Sequence, residues 1–379
     1  MITIMSLKID ISFPGGAVFI ENIDGFEVTL AKDLRNTEGD WFYWAFRGTF
    51  DAVGTYHFTF SNGTAVGARG PAVSYDNGVS WDWLGTDSFP AGKHNEFFYT
   101  FDGTKGNQVI FSQNLPYNQI HLDRFLARHV SSPYLSQSLL AFTRKGRGVI
   151  KLHVEDPAGP ADRKHIFLSA RHHACESMAD YGMEGILEAA LGDDELGREL
   201  RRKYIIDAVP FVDMDGVVDG DQGKNRRPHD HNRDYGENPI YPEVAAIQEF
   251  LKQSKPFFVL DMHCPWIYSG CNETIYFPGP SDKQYEAEML KFSALLEEEA
   301  PAEAPHRVDQ NILFGTSWNV GGNYSQGMTM TRWCQRQGFP RYSVTIEIAY
   351  ANALEITLYP DSIRKLGRAL CRCILRYDA

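Results

Sequence analysis

The sequence contains no long apolar run. No stretch approaches the roughly 18 consecutive apolar residues that a membrane-spanning helix requires. The start of the chain also lacks the basic segment followed by an apolar segment that marks a secretory signal. We therefore expect a cytoplasmic protein that has no membrane partner.

Cysteine is scarce and is absent from the first 174 residues. No two of the six cysteines form a CxxC pair, so neither a disulfide framework nor a structural zinc site with four cysteine ligands is expected. The six are Cys175, Cys264, Cys271, Cys334, Cys371 and Cys373.

The chain has fewer basic than acidic residues. The 379 residues include 37 Lys and Arg against 49 Asp and Glu, which gives a formal net charge of −12 at pH 7. A negatively charged protein repels the phosphate backbone of nucleic acids, so we expect no nucleic-acid partner. The hydrophobic fraction of 43% and the charged fraction of 23% are ordinary for a folded globular protein.

Composition divides the chain into two parts. Residues 1–120 hold 22 of the 49 aromatic residues, in short aromatic and β-branched runs separated by turn signals such as Asn62-Gly63 and Asn77-Gly78. This pattern predicts an all-β antiparallel sandwich domain over residues 1–120. From residue 121 to 379, apolar strands alternate with helical patterns. That alternation predicts an α/β domain with a mixed, mostly parallel sheet covered by helices.

The second part has six predicted strands and four predicted helices. The strands are 138–143, 149–154, 165–170, 204–212, 256–262 and 343–349. The helices are 118–130, 176–191, 243–253 and 361–377.

Residues able to bind a metal follow two of these strands. Ligands of open α/β sheets bind beyond the carboxyl ends of the strands. His173 and Glu176 come just after strand 165–170, and His263 follows strand 256–262. Two histidines and one carboxylate, with a fourth position open to water, are the ligands of a catalytic zinc ion. Taken alone, His263 would be better explained as a hydrogen-bonded histidine at a strand end.

Glu347 is an acid within an otherwise apolar strand. It points away from the face that carries Val344, Ile346 and Ile348, because side chains alternate along a strand. If its face opens on the metal site, the carboxylate could take a proton from metal-activated water. A buried salt bridge is the alternative.

A basic segment stands out in this acidic protein. Arg226, Arg227 and Arg233 lie within eight residues. Guanidinium groups bind carboxylate or phosphate in a bidentate manner, and the adjacent Asn232 adds a neutral donor that favours a single carboxylate. The alternative is a solvated basic loop. His229 and His231, in the same segment, are expected to have supporting roles rather than to form a second metal site.

In this order the residues resemble the motifs of zinc metallocarboxypeptidases, and more closely those of the cytosolic-carboxypeptidase subgroup. The resemblance covers nearly the whole chain. It is carried by the HxxE of residues 173–176, Asp215-Gly216-Val217, Asp230-His231-Asn232-Arg233 and Thr345-Ile346-Glu347-Ile348.

The resemblance implies a carboxypeptidase-like catalytic domain with one zinc ion held by His173, Glu176 and His263. Glu347 would be the general base and acid. Arg226 would stabilise the oxyanion, with Arg227 as the alternative, and Asn232 and Arg233 would bind the terminal carboxylate of the substrate.

The implied reaction is hydrolysis of the C-terminal peptide bond of a peptide or protein. A preference for acidic C-terminal residues is expected from the arginines that precede Glu347, namely Arg332, Arg336 and Arg341. The sequence leaves the oligomeric state open.

The chain departs from the family pattern beside two ligands. Ala174-Cys175 stands where Pro-Gly is usual, and Cys264 stands where Gly is frequent. Either these are tolerated small side chains, or the two thiols sense oxidation or bind a soft metal.

Three other functions remain open from the sequence. A zinc amidohydrolase of the aspartoacylase type shares the HxxE, the distant histidine and the arginine-rich pocket. The run Val212-Asp213-Met214-Asp215-Gly216 resembles the nucleophile motif of haloacid-dehalogenase-type phosphatases. The third is a non-catalytic module that binds through its aromatic first domain.

Overall fold

The computed structural model describes residues 7–267 and 273–379. Residues 1–6, at the start that lacks a signal pattern, and Cys271 lie outside the described residues. Of the helices in the described ranges, none is both long enough and apolar enough to cross a bilayer.

Strands dominate the first part of the chain. They are β1 (Leu7–Asp10), β2 (Phe19–Asp24), β3 (Glu27–Ala31), β4 (Ala45–Phe50), β5 (Gly54–Phe60), β6 (Ala72–Ser74), β7 (Asp82–Trp83), β8 (Glu96–Phe101) and β9 (Gln108–Ser112). One sheet has the order β1-β4-β9-β6-β7 and the other the order β2-β3-β5-β8. Aromatic side chains of both sheets share one core, in which the ring centroids of Phe46 and Phe58 are 5.5 Å apart.

The prediction of wholly antiparallel pairing in this part is wrong at one place. Strands β3 and β5 run parallel, with Glu27 opposite His57. Between them the chain passes through β4 in the other sheet, and this crossover lets the returning strand run in the same direction. The domain boundary at residue 120 stays a prediction, since aromatic residues of the first part also pack into the core of the second.

The second part alternates strands and helices. Its elements are α1 (Gln119–Arg128), β10 (Leu135–Phe142), β11 (Gly148–Val154), β12 (Lys164–Ala170), α2 (Met178–Leu191), α3 (Glu195–Lys203), β13 (Tyr204–Val209), α4 (Met214–Asp219), α5 (Pro242–Ser254), β14 (Phe258–His263), α6 (Lys283–Glu299), α7 (Met330–Gln337), β15 (Tyr342–Glu347), β16 (Asn352–Ala353), β17 (Ile356–Thr357) and α8 (Pro360–Tyr377). Short 3-10 helices occur at Thr86–Ser88, His231–Arg233, Val308–Gln310 and Gly321–Tyr324.

The predicted mixed sheet covered by helices is confirmed. Its order is β10-β11-β13-β12-β14-β15. Strands β13, β12, β14 and β15 are parallel, whereas β10 and β11 are antiparallel to their neighbours. Side chains alternate between the faces, so that Ile166 and Leu168 pack under α2, α6 and α8 while Phe167 packs under α5 and α7.

Four helices, α3, α4, α6 and α7, were not predicted. Helices α3 and α7 are short and rich in charged and polar residues, so their apolar periodicity is weak. In α6 the buried residues Met289, Phe292 and Leu296 do recur at helical spacing, a signal that the interpretation did not use. Strand β13 ends at Val209 rather than at residue 212, because Pro210 cannot donate to the sheet.

The parallel strands bring their carboxyl ends to one edge of the sheet. Ala170 at the end of β12 pairs with Met262 of β14. His263 at the end of β14 pairs with Glu347 at the end of β15. Residues that are distant in sequence therefore meet at this edge.

Candidate metal centre and active site

Three potential metal ligands converge at this edge. The Nδ1 atom of His173 lies 2.9 Å from Oε1 of Glu176. The Nδ1 atom of His263 lies 2.6 Å from Oε2 of Glu176 and 3.0 Å from Nδ1 of His173. All three side chains are buried. Two imidazole nitrogens and one carboxylate oxygen that lie this close together form a donor set that fits a metal ion.

The loop that carries two of these ligands is tightly held. Strand β12 ends at Ala170, and Arg171 then adopts a left-handed backbone conformation with φ of 59°. The buried guanidinium of Arg171 donates to the carbonyl of Tyr117 and to Asp180. The Asn114 side chain donates to the carbonyl of Cys175, which fixes the loop from the other side. The turn that presents the ligands is therefore set by contacts from both parts of the chain.

Asp261 orients His263. It lies two residues earlier on β14 and so faces the same side of the sheet. Its Oδ2 accepts from His263 Nε2 at 2.8 Å and from Asn232 Nδ2 at 3.0 Å, while its Oδ1 accepts from Ser169 Oγ. Burial alone would raise the pKa of Asp261, but the neighbouring His172 and His263 hold that pKa well below its usual range. Because Nε2 of His263 is committed to Asp261, Nδ1 is the atom left for a metal.

A second carboxylate stands behind the other histidine. Asp230 is buried, and its Oδ1 lies 3.5 Å from Nε2 of His173. Burial opposes ionisation, yet the charges of His173 and Arg233 lower the pKa of Asp230. The sequence interpretation assigned no role to Asp230 or Asp261. The two-residue spacing between Asp261 and His263 could have indicated the latter.

Glu347 faces the same site. With Lys224, Arg233 and Tyr276 it lines a cavity of about 570 Å³. Its Oε2 atom is buried and accepts no hydrogen bond from the part of the chain that the structure describes. Burial raises the pKa of Glu347 above its usual value, although nearby Lys224 and His263 oppose the shift. A buried carboxylate with an open oxygen and a raised pKa is suited to accept and return a proton.

The structure does not bring Arg226 or Arg227 into this cavity. The Arg226 guanidinium is buried between Asp213, at 2.9 Å, and Asp221, at 2.8 Å. Arg227 points outward, with 79% of its side chain exposed, and pairs with Glu38. The expectation that Arg226, or alternatively Arg227, binds the oxyanion is therefore corrected, because both guanidinium groups form ion pairs with carboxylates outside the cavity.

Lys224 lines the cavity, which neither of these arginines lines. Its Nζ atom lies 3.4 Å from Oε1 of Glu176 and 5.8 Å from the ring centroid of Trp41. Sequence reasoning missed it because nothing local distinguishes Lys224 from the arginines that follow. The choice depends on Asp213 and Asp221, which attract Arg226 away from the cavity.

Arg233 lines the cavity, whereas Asn232 does not. The Arg233 guanidinium donates to the carbonyls of Asn232 and Asn323 and lies 5.1 Å from the ring centroid of Tyr324. The Asn232 side chain is buried. Its Nδ2 atom donates to Asp261 and lies 2.9 Å from His263 Nε2, and its Oδ1 atom accepts from the backbone N–H of Met330. Asn232 thus supports Asp261, while Arg233 has N–H groups to spare for a ligand.

The two cysteines beside the ligands are buried thiols. Burial raises the pKa of Cys175 to about 12 and that of Cys264 well above its usual value. A thiol that is neither exposed nor ionised is a poor nucleophile and a poor redox sensor. This environment favours the interpretation of both as tolerated small side chains.

Other candidate residues have structural partners. His229 Nε2 lies 2.7 Å from Asp234, and His231 Nε2 lies 2.7 Å from Glu243. Asp213 is fully buried, where its Oδ1 accepts from the backbone N–H of Gly216 at the start of α4. A phosphatase nucleophile must be accessible, so this position does not favour the haloacid-dehalogenase interpretation.

The sequence was compared with family models and with known proteins. No family model matches the chain. It is 27% identical over 268 residues to an uncharacterized protein of Zymomonas mobilis, covering 68% of each chain. It is 28% identical over 276 residues to cytosolic carboxypeptidase 3 of Mus musculus, covering 63% of this chain and 27% of that protein. The chain spans less than half the length of that relative.

The fold has a counterpart among solved structures. The chain superposes on the crystal structure of a metallo-carboxypeptidase from Burkholderia cenocepacia with a TM-score of 0.80 and 20% sequence identity, covering 98% of this chain and 99% of that one. The resemblance inferred from the motifs is thereby confirmed: the chain is a relative of the metallocarboxypeptidases, and cytosolic carboxypeptidases are among its homologues.

Proposed function

We propose that the protein is a zinc-dependent carboxypeptidase that removes the last residue of a peptide or protein. The observation that carries this proposal is the convergence of His173, Glu176 and His263 next to a cavity that Glu347 and Lys224 line. The metallocarboxypeptidase relatives support it.

Zinc is the metal that suits the three ligands. Two imidazole nitrogens and one carboxylate would leave the fourth position of a tetrahedral zinc ion to water or substrate. Asp230 and Asp261 behind the two histidines hold the rings in place and increase their basicity. When bound there, zinc would polarise the substrate carbonyl and lower the pKa of a water molecule.

Glu347 would move the proton. Its open Oε2 takes a proton from the attacking water as the water oxygen bonds to the carbonyl carbon. The carbon–nitrogen bond then breaks, and Glu347 returns the proton to the leaving nitrogen. The products are one free amino acid and a peptide that is shorter by one residue.

Lys224 and Arg233 would supply the two positive charges of the site. Lys224, next to Glu176, lies where it can stabilise the negative charge that develops on the carbonyl oxygen. Arg233 would bind the terminal carboxylate of the substrate through N–H groups that its two backbone contacts leave over. Recognition of that carboxylate makes the enzyme an exopeptidase.

Acidic C-terminal residues would be preferred. A second cavity, of about 580 Å³, adjoins the first at Arg233 and is also lined by Arg332 and Arg336. With Arg233 assigned to the terminal carboxylate, the guanidinium groups of Arg332 and Arg336 are left to bind a side-chain carboxylate. Arg341 does not belong to this group, since its guanidinium lies 5.4 Å from the ring centroid of Tyr377.

Mass spectrometry of a digested peptide library tests this function. Zinc-loaded wild type should release single C-terminal residues, with glutamate-ended peptides cleaved faster than neutral-ended ones. A chelator should abolish release, and Glu347→Gln should reduce the rate by about 10²- to 10⁴-fold because proton transfer is lost. Glu195→Gln, on the exposed surface of α3, is the matched control and should keep full activity. Release of acyl groups from acyl amino acids, without peptide trimming, would instead support the aspartoacylase-type reaction.

Zinc affinity should depend on Asp261. Asp261→Asn removes the charged acceptor of His263 Nε2, so zinc should bind about 10- to 100-fold more weakly. Ser169→Ala is the control, because it removes a hydrogen bond to the opposite oxygen of Asp261 and leaves the contact with His263 in place. Competition with a chelating dye measures both constants, and circular dichroism checks that each variant is folded. Equal affinities in folded Asp261→Asn and wild type would contradict the role of Asp261.

The pH dependence of kcat/KM should show that Lys224 is the cation that acts on Glu347. Lys224 lowers the pKa of Glu347, and Glu347 must be ionised to act as a base. In Lys224→Met the acid limb of kcat/KM should therefore move to higher pH. Lys224→Arg should return the acid limb to its wild-type pH. Arg226→Met is the control and should leave the pH of the acid limb unchanged. It should lower Tm, because it removes the partner of the buried carboxylates Asp213 and Asp221. An unmoved limb in Lys224→Met would contradict this assignment.

A further inference from the structure

The first part of the chain reaches the active site. The cavity that holds Glu347 and Lys224 is also lined by Gly39, Asp40 and Trp41. These three residues precede the nearest metal ligand by more than 130 positions and lie between β3 and β4. Nothing in the chemistry described so far uses them.

The segment is rigidly anchored at Asp40. The buried Lys32 donates through Nζ to Asp40 Oδ1 and to the carbonyl of Thr64, each at 2.5 Å. The backbone N–H of Thr64 donates to the other oxygen of Asp40. Asp40 therefore enters the wall of the cavity as a paired carboxylate, whose charge Lys32 neutralises.

The same segment holds residues of the catalytic part. The carbonyl of Asp40 accepts from Trp266 Nε1 at 3.1 Å, three residues after the ligand His263. The backbone of residues 36–38 pairs with that of residues 225–227. The N–H of Glu38 donates to the carbonyl of Asn225, and the N–H of Arg227 donates to the carbonyl of Asn36. The wall is thus built from both parts of the chain and is fixed on both sides.

We propose that residues 39–41, together with Trp266, form the subsite for the residue that precedes the scissile bond. This inference rests on the proposed carboxypeptidase function. The terminal carboxylate and side chain are directed to Arg233 and the arginine-lined cavity, which contains none of residues 39–41. Within the first cavity, the surface formed by residues 39–41 and Trp266 is therefore left for the upstream part of the peptide.

The chemistry of this wall selects a large apolar or aromatic side chain. Three of the seven tryptophans of the chain, Trp41, Trp266 and Trp318, line the one cavity. Indole rings contribute contact area and ring stacking, and the neutralised Asp40 adds no net charge. A penultimate aromatic residue should therefore be favoured over glycine.

Two peptides with the same C-terminal glutamate, one with phenylalanine and one with glycine before it, test the proposal. In wild type, kcat/KM should be about tenfold higher for the phenylalanine peptide. In Trp266→Ala this ratio should approach one, mainly through the KM of the phenylalanine peptide. Trp41→Leu is the second variant, should Trp266→Ala fail to fold, and should also reduce the ratio.

Trp81→Ala is the matched control. Like Trp41, Trp81 donates its indole N–H to a carbonyl three residues earlier, but it lies outside this cavity. It should keep the wild-type ratio. Two results would contradict the subsite, provided that terminal residues are still released. One is a ratio of the two kcat/KM values near one in wild type. The other is a ratio that Trp266→Ala and Trp41→Leu leave unchanged. No release from either peptide by zinc-loaded wild type would overturn the proposed function instead.

Discussion

The carboxylate of Asp261 is the constraint on which the arrangement of the site depends. It is fully buried on β14, between the parallel strands β12 and β15, and its two oxygens are in contact with Ser169, His172, Asn232 and His263. A buried charge is tolerable only when donors surround it, so these residues cannot move independently. The orientation of His263, and with it the position of the candidate metal site, follows from this one group.

The pairing of the strands fixes the other residues of the site relative to Asp261. Asp261 and His263 share a face of β14, Glu347 pairs in register with His263, and His173 follows the neighbouring strand β12. The first part of the chain adds a second layer of support, through the segment that contacts Lys224 and Trp266. The proposed ligand His263 and the proposed base Glu347 are therefore positioned by the backbone pairing of the sheet.

Much of this could be predicted from the sequence, because the strongest signals are local. The runs that became β12, β14 and β15, and the helices α2 and α8, show clear periodicity, and parallel strands bring their ends to one edge. The cation of the cavity could not be predicted. Lys224 and Arg226 are two residues apart, and only the distant partners Asp213 and Asp221 decide which of them faces the site. The contribution of residues 39–41 has no local signal either, since it depends on how the two parts pack.

The most direct test of the account is where a zinc ion binds. Anomalous diffraction at the zinc edge from crystals of the zinc-loaded protein would locate the ion. The account predicts one strong peak about 2.0 to 2.2 Å from Nδ1 of His173, Nδ1 of His263 and the carboxylate of Glu176. A peak among His172, Asp261 and Nε2 of His263, the other buried group with suitable ligands in the described residues, would contradict it. So would the absence of a peak from crystals in which zinc is shown to be present.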